Sequence, residues 1–185
     1  DATENLRRAE MLLRDKIGGE IFTDHDISLE ETVAALLVER GETIAVAESC
    51  TGGMIANRLT NIPGSSRFFD RGIVAYSNSA KMQLLQVPAE LIDAYGAVSF
   101  QVAQAMATGA RTMAQTDYGL SVTGIAGPGG GTAAKPVGLV FIGYADENET
   151  VSEKWTFADD RIGNKQRATQ AALNLLRKKI MTRKL

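Results

Sequence analysis

The 185-residue sequence is poor in the side chains on which many hydrolases and metalloproteins depend. It contains one cysteine, Cys50, and one histidine, His25. A single cysteine excludes an intramolecular disulfide and a cysteine-rich zinc site. A Ser-His-Asp triad or a histidine-ligated metal would have to use His25, which lies in an acidic segment, and we interpret it as a surface residue. The sequence therefore predicts no bound metal and no cofactor, and any hydrolytic base is expected to be a residue other than histidine.

The sequence also lacks an excess of positive charge and a long apolar run. The net charge is −2 and the isoelectric point is near 5.5. General nucleic-acid binders need clustered lysine and arginine for phosphate contacts, so a nucleic-acid partner is not expected. No apolar run is long enough to span a bilayer and no signal-peptide pattern is present, so we expect a cytoplasmic protein without a membrane partner.

Strand patterns alternate with helix patterns along most of the chain. This order is typical of an α/β protein, with a three-layer α/β/α arrangement and a mixed, mostly parallel sheet that ends in an antiparallel hairpin. We expect one domain over residues 28–185, preceded by an N-terminal helical arm at residues 1–27. The predicted strands cover residues 43–47, 68–76, 118–123, 137–144 and 151–157.

Local signals mark two of the predicted helices. Ser28 and Glu31 have the spacing of a capping box, in which each side chain hydrogen-bonds the other residue's backbone N–H. The last helix is expected to start near Asp160 and to bury an apolar face that includes Ile162 and Ala168.

Small polar residues and glycines cluster where predicted strands end, which is where α/β sheets bind ligands. In residues 47–53, the glycine pair before a helix could leave backbone N–H groups free for an anion such as phosphate. Alternatively, Ser49 or Thr51 could cap the helix, with tight packing at the glycines. Both interpretations stay open from the sequence. Residues 63–66 are more typical of a turn.

A lysine occupies an unusual position in the segment after the second strand. Asn78 could cap a helix that carries Lys81 in its first turn, where the helix dipole disfavours a positive charge. The dipole and partial burial would both lower the pKa of Lys81 and make a neutral amine available as a base. A nucleophile would then be a serine, or Cys50 activated by a helix N-terminus, although a lone cysteine at a strand end is more often a small buried hydrophobe.

The glycine-rich loop at residues 124–138 does not match the common phosphate-binding motifs. Its lysine is followed by Pro136 and a strand, so it is not a Walker A motif, and it lacks the G-x-G-x-x-G pattern of dinucleotide-binding proteins.

Four segments together resemble the CinA C-terminal domain family, over about residues 28–180. They are AESCTGG at 47–53, GIVAYSNSAK at 72–81, GAVS at 96–99 and GIAGPGGGTAAKPVG at 124–138. The resemblance implies a nicotinamide mononucleotide deamidase, which hydrolyses the amide to nicotinic acid mononucleotide and ammonia. It also implies a homodimer, and a stand-alone enzyme without the nucleotide-processing domain of larger CinA proteins.

The resemblance further implies a Ser-Lys amidohydrolase with specific residues in its site. It assigns Ser66 as the nucleophile and Lys81 as the base, with Ser49 and Tyr76 relaying protons or orienting the amide. Ser49 is the alternative nucleophile. Residues expected to bind the substrate or line its pocket are Thr51, Gly52, Gly53, Asn78, Thr123, Gly124, Gly127, Gly129 and Arg161.

Two non-catalytic functions compete with this hypothesis. One is a domain that binds a pyridine nucleotide without turning it over. The other is an interaction module in a competence-related pathway, which would need a basic or an exposed apolar face. Release of ammonia from a pyridine nucleotide separates catalysis from both.

Overall fold

Side chains that alternate along the first strand determine which helices pack on each face of the sheet. The computed structural model describes residues 1–183, and its first strand, β1, covers Ile44–Glu48. Ile44 and Val46 join one buried cluster, whereas Ala45 and Ala47 join another. Successive side chains of a strand point to opposite faces, so β1 contributes to two separate cores.

The helices and strands follow the order predicted from the sequence. The helices are α1 (Ala2–Ile17), α2 (Leu29–Arg40), α3 (Met54–Thr60), α4 (Asn78–Leu85), α5 (Ala89–Tyr95), α6 (Phe100–Ala114) and α7 (Arg161–Thr182), and the remaining strands are β2 (Phe69–Val74), β3 (Tyr118–Gly124), β4 (Leu139–Ala145) and β5 (Thr150–Thr156).

Residues 1–183 form a five-stranded sheet in the order β2-β1-β3-β4-β5. β1 is parallel to β2 and to β3, and β4 is antiparallel to both β3 and β5. Four strands therefore run in one direction and β4 runs in the other. The predicted mixed sheet with a terminal antiparallel hairpin is confirmed.

Helices cover both faces of this sheet and complete the predicted three layers. On one face, α2, α3 and α7 pack through residues such as Leu37, Ile55 and Leu176. On the other face, α4, α5 and α6 pack through Leu85, Ile92 and Met106. Among residues 1–183, none of the helices combines the length and the apolar character needed to cross a bilayer.

The capping prediction at the start of α2 is confirmed. The Ser28 hydroxyl accepts from the Glu31 N–H at 3.2 Å, and the Glu31 carboxylate accepts from the Ser28 N–H at 2.6 Å. The helix ends at Gly41, which adopts a left-handed conformation with φ of 65°.

The prediction that Ile162 is buried is wrong. Its side chain is 54% exposed, whereas Asn164, Ala168 and Ala172 are buried. These buried residues recur at intervals of four, which defines the inward face of α7 and leaves Ile162 outside it. The predicted helix in the N-terminal arm is present as α1, but none of its residues, all within the described part, is buried.

A close approach between α6 and the sheet depends on a glycine in β4. A Cβ added at Gly143 would lie 2.3 Å from the carbonyl oxygen of Ala103 in α6 and 2.5 Å from the Ser121 hydroxyl. That hydroxyl donates to the same carbonyl at 2.6 Å, so it cannot move away without breaking a buried hydrogen bond.

We therefore expect Gly143→Ala to lower the free energy of unfolding by about 1–3 kcal/mol, the usual cost of overpacking a close-packed core. Chemical denaturation followed by circular dichroism measures the change. Gly129→Ala is the matched control, because an added Cβ there meets nothing within 4 Å. Equal denaturation midpoints for the two variants would contradict the proposed contact.

Candidate active site

Alternation at the end of β1 sends two adjacent polar side chains to opposite faces of the sheet. Glu48 faces α3 and is fully buried. Its carboxylate accepts from the backbone N–H groups of Gly53 at 3.0 Å, Ile55 at 3.1 Å and Ala56 at 2.8 Å. Ser49 follows β1 and stays attached to the sheet, because its N–H donates to the Val122 carbonyl at 2.9 Å.

The Glu48 carboxylate occupies the N–H groups that an anion would need at the start of α3. Of the two interpretations of residues 47–53, the anion site is wrong, and the helix cap is present but comes from a different residue than predicted. The capping group is neither Ser49 nor Thr51, because the preceding Glu48 reaches past them to the helix. A phosphate placed there would meet a negative charge and occupied donors.

Lys81 reaches the site from α4, on the other face of the sheet. The cap of α4 is Ser77 rather than the predicted Asn78, because the Ser77 hydroxyl accepts from the Ala80 N–H at 3.0 Å. Lys81 lies one turn into the helix with only 1% of its surface exposed. Its Nζ is 3.1 Å from Ser49 Oγ, 3.0 Å from the Ala75 carbonyl oxygen and 3.1 Å from the Tyr76 carbonyl oxygen.

These three contacts determine where the lysine lone pair can point. A protonated Lys81 donates to all three oxygens. Two of them are carbonyl oxygens, which only accept, whereas the Ser49 hydroxyl can also donate. When Lys81 is neutral, its lone pair therefore faces Ser49.

Burial shifts the pKa values of two ionisable groups beside Ser49, Lys81 and Cys50, in opposite directions. Loss of solvation lowers the pKa of Lys81, because its charged form is the ammonium. Burial raises the pKa of the Cys50 thiol to about 12, because its charged form is the thiolate. At neutral pH Cys50 is therefore a protonated thiol. The structure does not support a Cys50 nucleophile activated by a helix N-terminus.

The Ser49–Lys81 pair opens into a cavity of about 190 Å³. Thr123 lies in its wall, and the Thr123 hydroxyl donates to the Ala97 carbonyl at 2.8 Å. Arg161, the first residue of α7, donates to the Gly127 carbonyl at 2.6 Å and to the Tyr76 hydroxyl at 3.0 Å. The residues that line the cavity are Ser49, Cys50, Tyr76, Asn78, Lys81, Ala97, Val98, Thr123, Gly124, Ala126 and Arg161.

Comparison with known proteins identifies the family. The sequence model of the CinA C-terminal domain matches residues 26–180. The chain belongs to the CinA C-terminal domain family. A CinA-like protein of Geotalea uraniireducens is 47% identical over 179 residues, which is 97% of this chain and 43% of that protein. A CinA-like protein of Chloroherpeton thalassium is 52% identical over 169 residues, which is 89% of this chain and 40% of that protein. The chain thus spans less than half the length of these relatives.

Solved structures of competence/damage-inducible proteins share the fold. The competence damage-inducible protein A of Klebsiella pneumoniae superimposes with a TM-score of 0.82 at 35% identity, covering 84% of this chain and 97% of that one. A competence/damage inducible protein of Agrobacterium tumefaciens gives a TM-score of 0.76 at 39% identity, covering 83% and 97% of the two chains.

In this CinA domain, Ser66 does not meet Lys81. It lies in an exposed single turn of 3-10 helix, Ser65–Arg67, just before β2 begins. Lys81 follows the other end of β2. Each strand residue advances about 3.3 Å, so the six residues of β2 put roughly 20 Å between its two ends. The pairing of Ser66 with Lys81 is therefore corrected, and the serine in contact with Lys81 is Ser49, the alternative nucleophile.

The predicted substrate-binding residues divide into two groups. Asn78, Thr123, Gly124 and Arg161 line the cavity, and the carbonyl of Gly127 holds Arg161. The others do not line it. Thr51 is fully buried, Gly52 and Gly53 form the turn into α3, and Gly129 is exposed in the glycine-rich loop.

Sequence reasoning missed three residues that hold the walls of the site. Glu48 is the first. Asn164 donates to the Ala126 carbonyl at 3.1 Å, and Lys135 donates to the Tyr95 and Val98 carbonyls at 2.6 and 2.8 Å. These contacts fix Ala126 and Val98 at the cavity. The position of Glu48 at the end of an alternating strand was the one available signal.

We expect Lys81 to lose its proton at a lower pH than a free lysine side chain. Since burial disfavours the ammonium, the transition midpoint should lie below about 10.4. An NMR titration of the ¹³Cε signals measures it, with the Lys81 signal assigned by its loss in Lys81→Met. A midpoint at or above the ordinary lysine value would show that burial does not govern this amine.

Proposed function

We propose that this CinA domain hydrolyses the amide of nicotinamide mononucleotide to nicotinic acid mononucleotide and ammonia. The observation that carries the proposal is the contact between Ser49 Oγ and the buried Nζ of Lys81 at 3.1 Å. A serine next to a lysine with a lowered pKa is an established arrangement for amide hydrolysis. The family resemblance supplies the substrate, and the geometry supports the chemistry.

In the first half of the reaction, Ser49 Oγ attacks the amide carbon while neutral Lys81 accepts the hydroxyl proton. The tetrahedral intermediate collapses when the Lys81 ammonium returns that proton to the amide nitrogen, and ammonia leaves. An ester between Ser49 and the nicotinoyl group remains.

In the second half, a water molecule attacks the ester with Lys81 again as the base. The proton passes back to Ser49 Oγ as the bond to the acyl carbon breaks. Nicotinic acid mononucleotide is released, and both side chains return to their starting state. One water is consumed and one ammonia is formed, so the atoms balance.

The remaining residues act by binding and orientation. The Arg161 guanidinium holds the Tyr76 hydroxyl at the mouth of the cavity, where Tyr76 can orient the amide. The Thr123 hydroxyl donates its proton to the Ala97 carbonyl, so toward a substrate in the cavity it can act only as an acceptor. The family resemblance implies that backbone N–H groups of residues 124–131 donate to the developing oxyanion, and the N–H of Ile125 is excluded from this set because it donates to the Leu139 carbonyl. The homodimer and the absence of nucleic-acid and membrane partners stay predictions.

We expect Ser49→Ala and Lys81→Met each to reduce kcat by on the order of a thousandfold or more, because each removes half of one catalytic unit. The double variant should be little worse than either single variant. Single-turnover release of ammonia is the measurement, with circular dichroism to verify that each variant is folded.

Ser66→Ala is the matched control, since it removes an identical hydroxyl outside the cavity and should retain near-normal activity. The rising limb of the pH profile should coincide with the Lys81 midpoint seen by NMR. Loss of activity in Ser66→Ala with retention in Ser49→Ala would return the nucleophile to Ser66. Saturable binding of the mononucleotide without any ammonia release by the unaltered protein would favour a non-catalytic binding domain.

The substrate assignment predicts a preference for the phosphorylated form. Arg161 gives the mouth of the cavity a positive charge, so the mononucleotide should have a higher kcat/KM than nicotinamide riboside or free nicotinamide. Ammonia release from the three compounds under identical conditions tests this. Comparable kcat/KM values for all three would remove phosphate recognition from the proposal.

A further inference from the structure

Lys165 is a cation beside the active-site cavity with no acid to balance it. It lies on α7, one turn after Arg161, and is half-buried. Its Nζ is 3.6 Å from the point where a Cβ on Gly52 would stand. Across residues 1–183, the Lys165 ammonium has no carboxylate within salt-bridge distance and no hydrogen-bond partner, whereas Arg167 and Lys178 on the same helix each pair with an acid.

The positions of Arg161 and Lys165 place both cations on one side of α7. Residues four apart on a helix are neighbours, with their Cβ atoms about 5–6 Å apart. The side chain of Arg161 spans the cavity mouth between Gly127 and Tyr76. Lys165 is also close enough to Cys50 to oppose, through its charge, the burial that raises the pKa of that thiol. Lys165 therefore lies next to the loop that carries Ser49.

The other side of Arg161 has the opposite charge. A second groove of about 490 Å³ shares Ala126 and Arg161 with the cavity, but Asp159 and Asp160 line it. A hydrogen bond from Arg167 lowers the pKa of Asp159, which keeps that carboxylate ionised. An anion bound near Arg161 is thus repelled from this groove and attracted toward Lys165.

The backbone at the start of α3 cannot replace these cations. Its N–H groups at Gly53, Ile55 and Ala56 already donate to Glu48. Gly52 has no side chain to fill the space in front of the Lys165 ammonium. An anionic group that extends out of the cavity on this side would meet the Lys165 ammonium, which lies within contact distance of a Cβ placed on Gly52.

We propose that Lys165 binds the phosphomonoester of the mononucleotide substrate, together with Arg161, where the substrate extends out of the cavity toward Gly52. This inference rests on the proposed function, because it assigns a binding residue for the same substrate. Lys165 is a specificity residue in this scheme, since it contacts the phosphate and leaves the amide chemistry to Ser49 and Lys81.

The test compares Lys165→Gln with the unaltered protein on the mononucleotide and on nicotinamide riboside. Loss of a hydrogen bond between charged groups should raise KM for the mononucleotide by on the order of ten- to a hundredfold with little change in kcat. Kinetics with the riboside should not change, because it has no phosphate. Lys178→Gln is the matched control, because it removes the same charge from the same helix at a residue paired with Glu20.

Calorimetric binding of nicotinic acid mononucleotide separates this inference from the proposed function. If the unaltered protein releases no ammonia but Lys165→Gln still weakens mononucleotide binding, the phosphate subsite stands and the deamidase proposal fails. If the unaltered protein is active and Lys165→Gln keeps its KM and its affinity, the deamidase proposal stands and Lys165 does not bind the phosphate. An equal loss of riboside turnover in Lys165→Gln would also overturn the phosphate assignment.

Discussion

The site depends on the hydrogen bonds between the buried carboxylate of Glu48 and the first N–H groups of α3. They satisfy three donors that a helix start otherwise leaves unpaired, and they hold the turn of residues 49–53 against the end of β1. Side chains alternate along a strand, so when the Glu48 side chain faces α3, the Ser49 side chain must face the opposite side of the sheet. The same strand geometry that anchors one layer thus delivers the hydroxyl to Lys81 in the other layer.

Lys81 is the candidate base in a chain that has one histidine, and burial lowers the pKa of its amine. A fully buried ammonium is costly unless its protons have acceptors, and three oxygens supply them here. Two of these acceptors are backbone carbonyls just beyond β2, so their positions follow from the sheet rather than from mobile side chains. Burial then favours the neutral amine, and the one partner able to donate to it is the Ser49 hydroxyl. The contacts that remove the Lys81 amine from water therefore also orient it toward Ser49.

The sequence predicted the architecture well because strong local patterns and the layer rules agree. The capping pair Ser28 and Glu31, the strand at residues 44–48 and the terminal hairpin each carry a clear signal. Ile162 was misplaced because helical periodicity alone does not fix which face of α7 turns inward. Asn164 lies on the inward face, and its side-chain amide donates to the carbonyl groups of Ala126 and Asp159. Such contacts join distant segments and leave no pattern in the sequence.

The site was predicted in part, and its main error has a topological cause. Four of the predicted residues lie at the same edge of the sheet and line one cavity: Ser49, Tyr76, Lys81 and Arg161. Ser66 was chosen from resemblance, although it precedes β2 while Lys81 follows it. In a sheet where β1 and β2 are parallel, residues that follow both strands share an edge, so Ser49 and Lys81 are the compatible pair. Strand direction, considered together with the order of the residues, is therefore enough to predict that Ser49 rather than Ser66 lies beside Lys81, without any knowledge of side-chain positions.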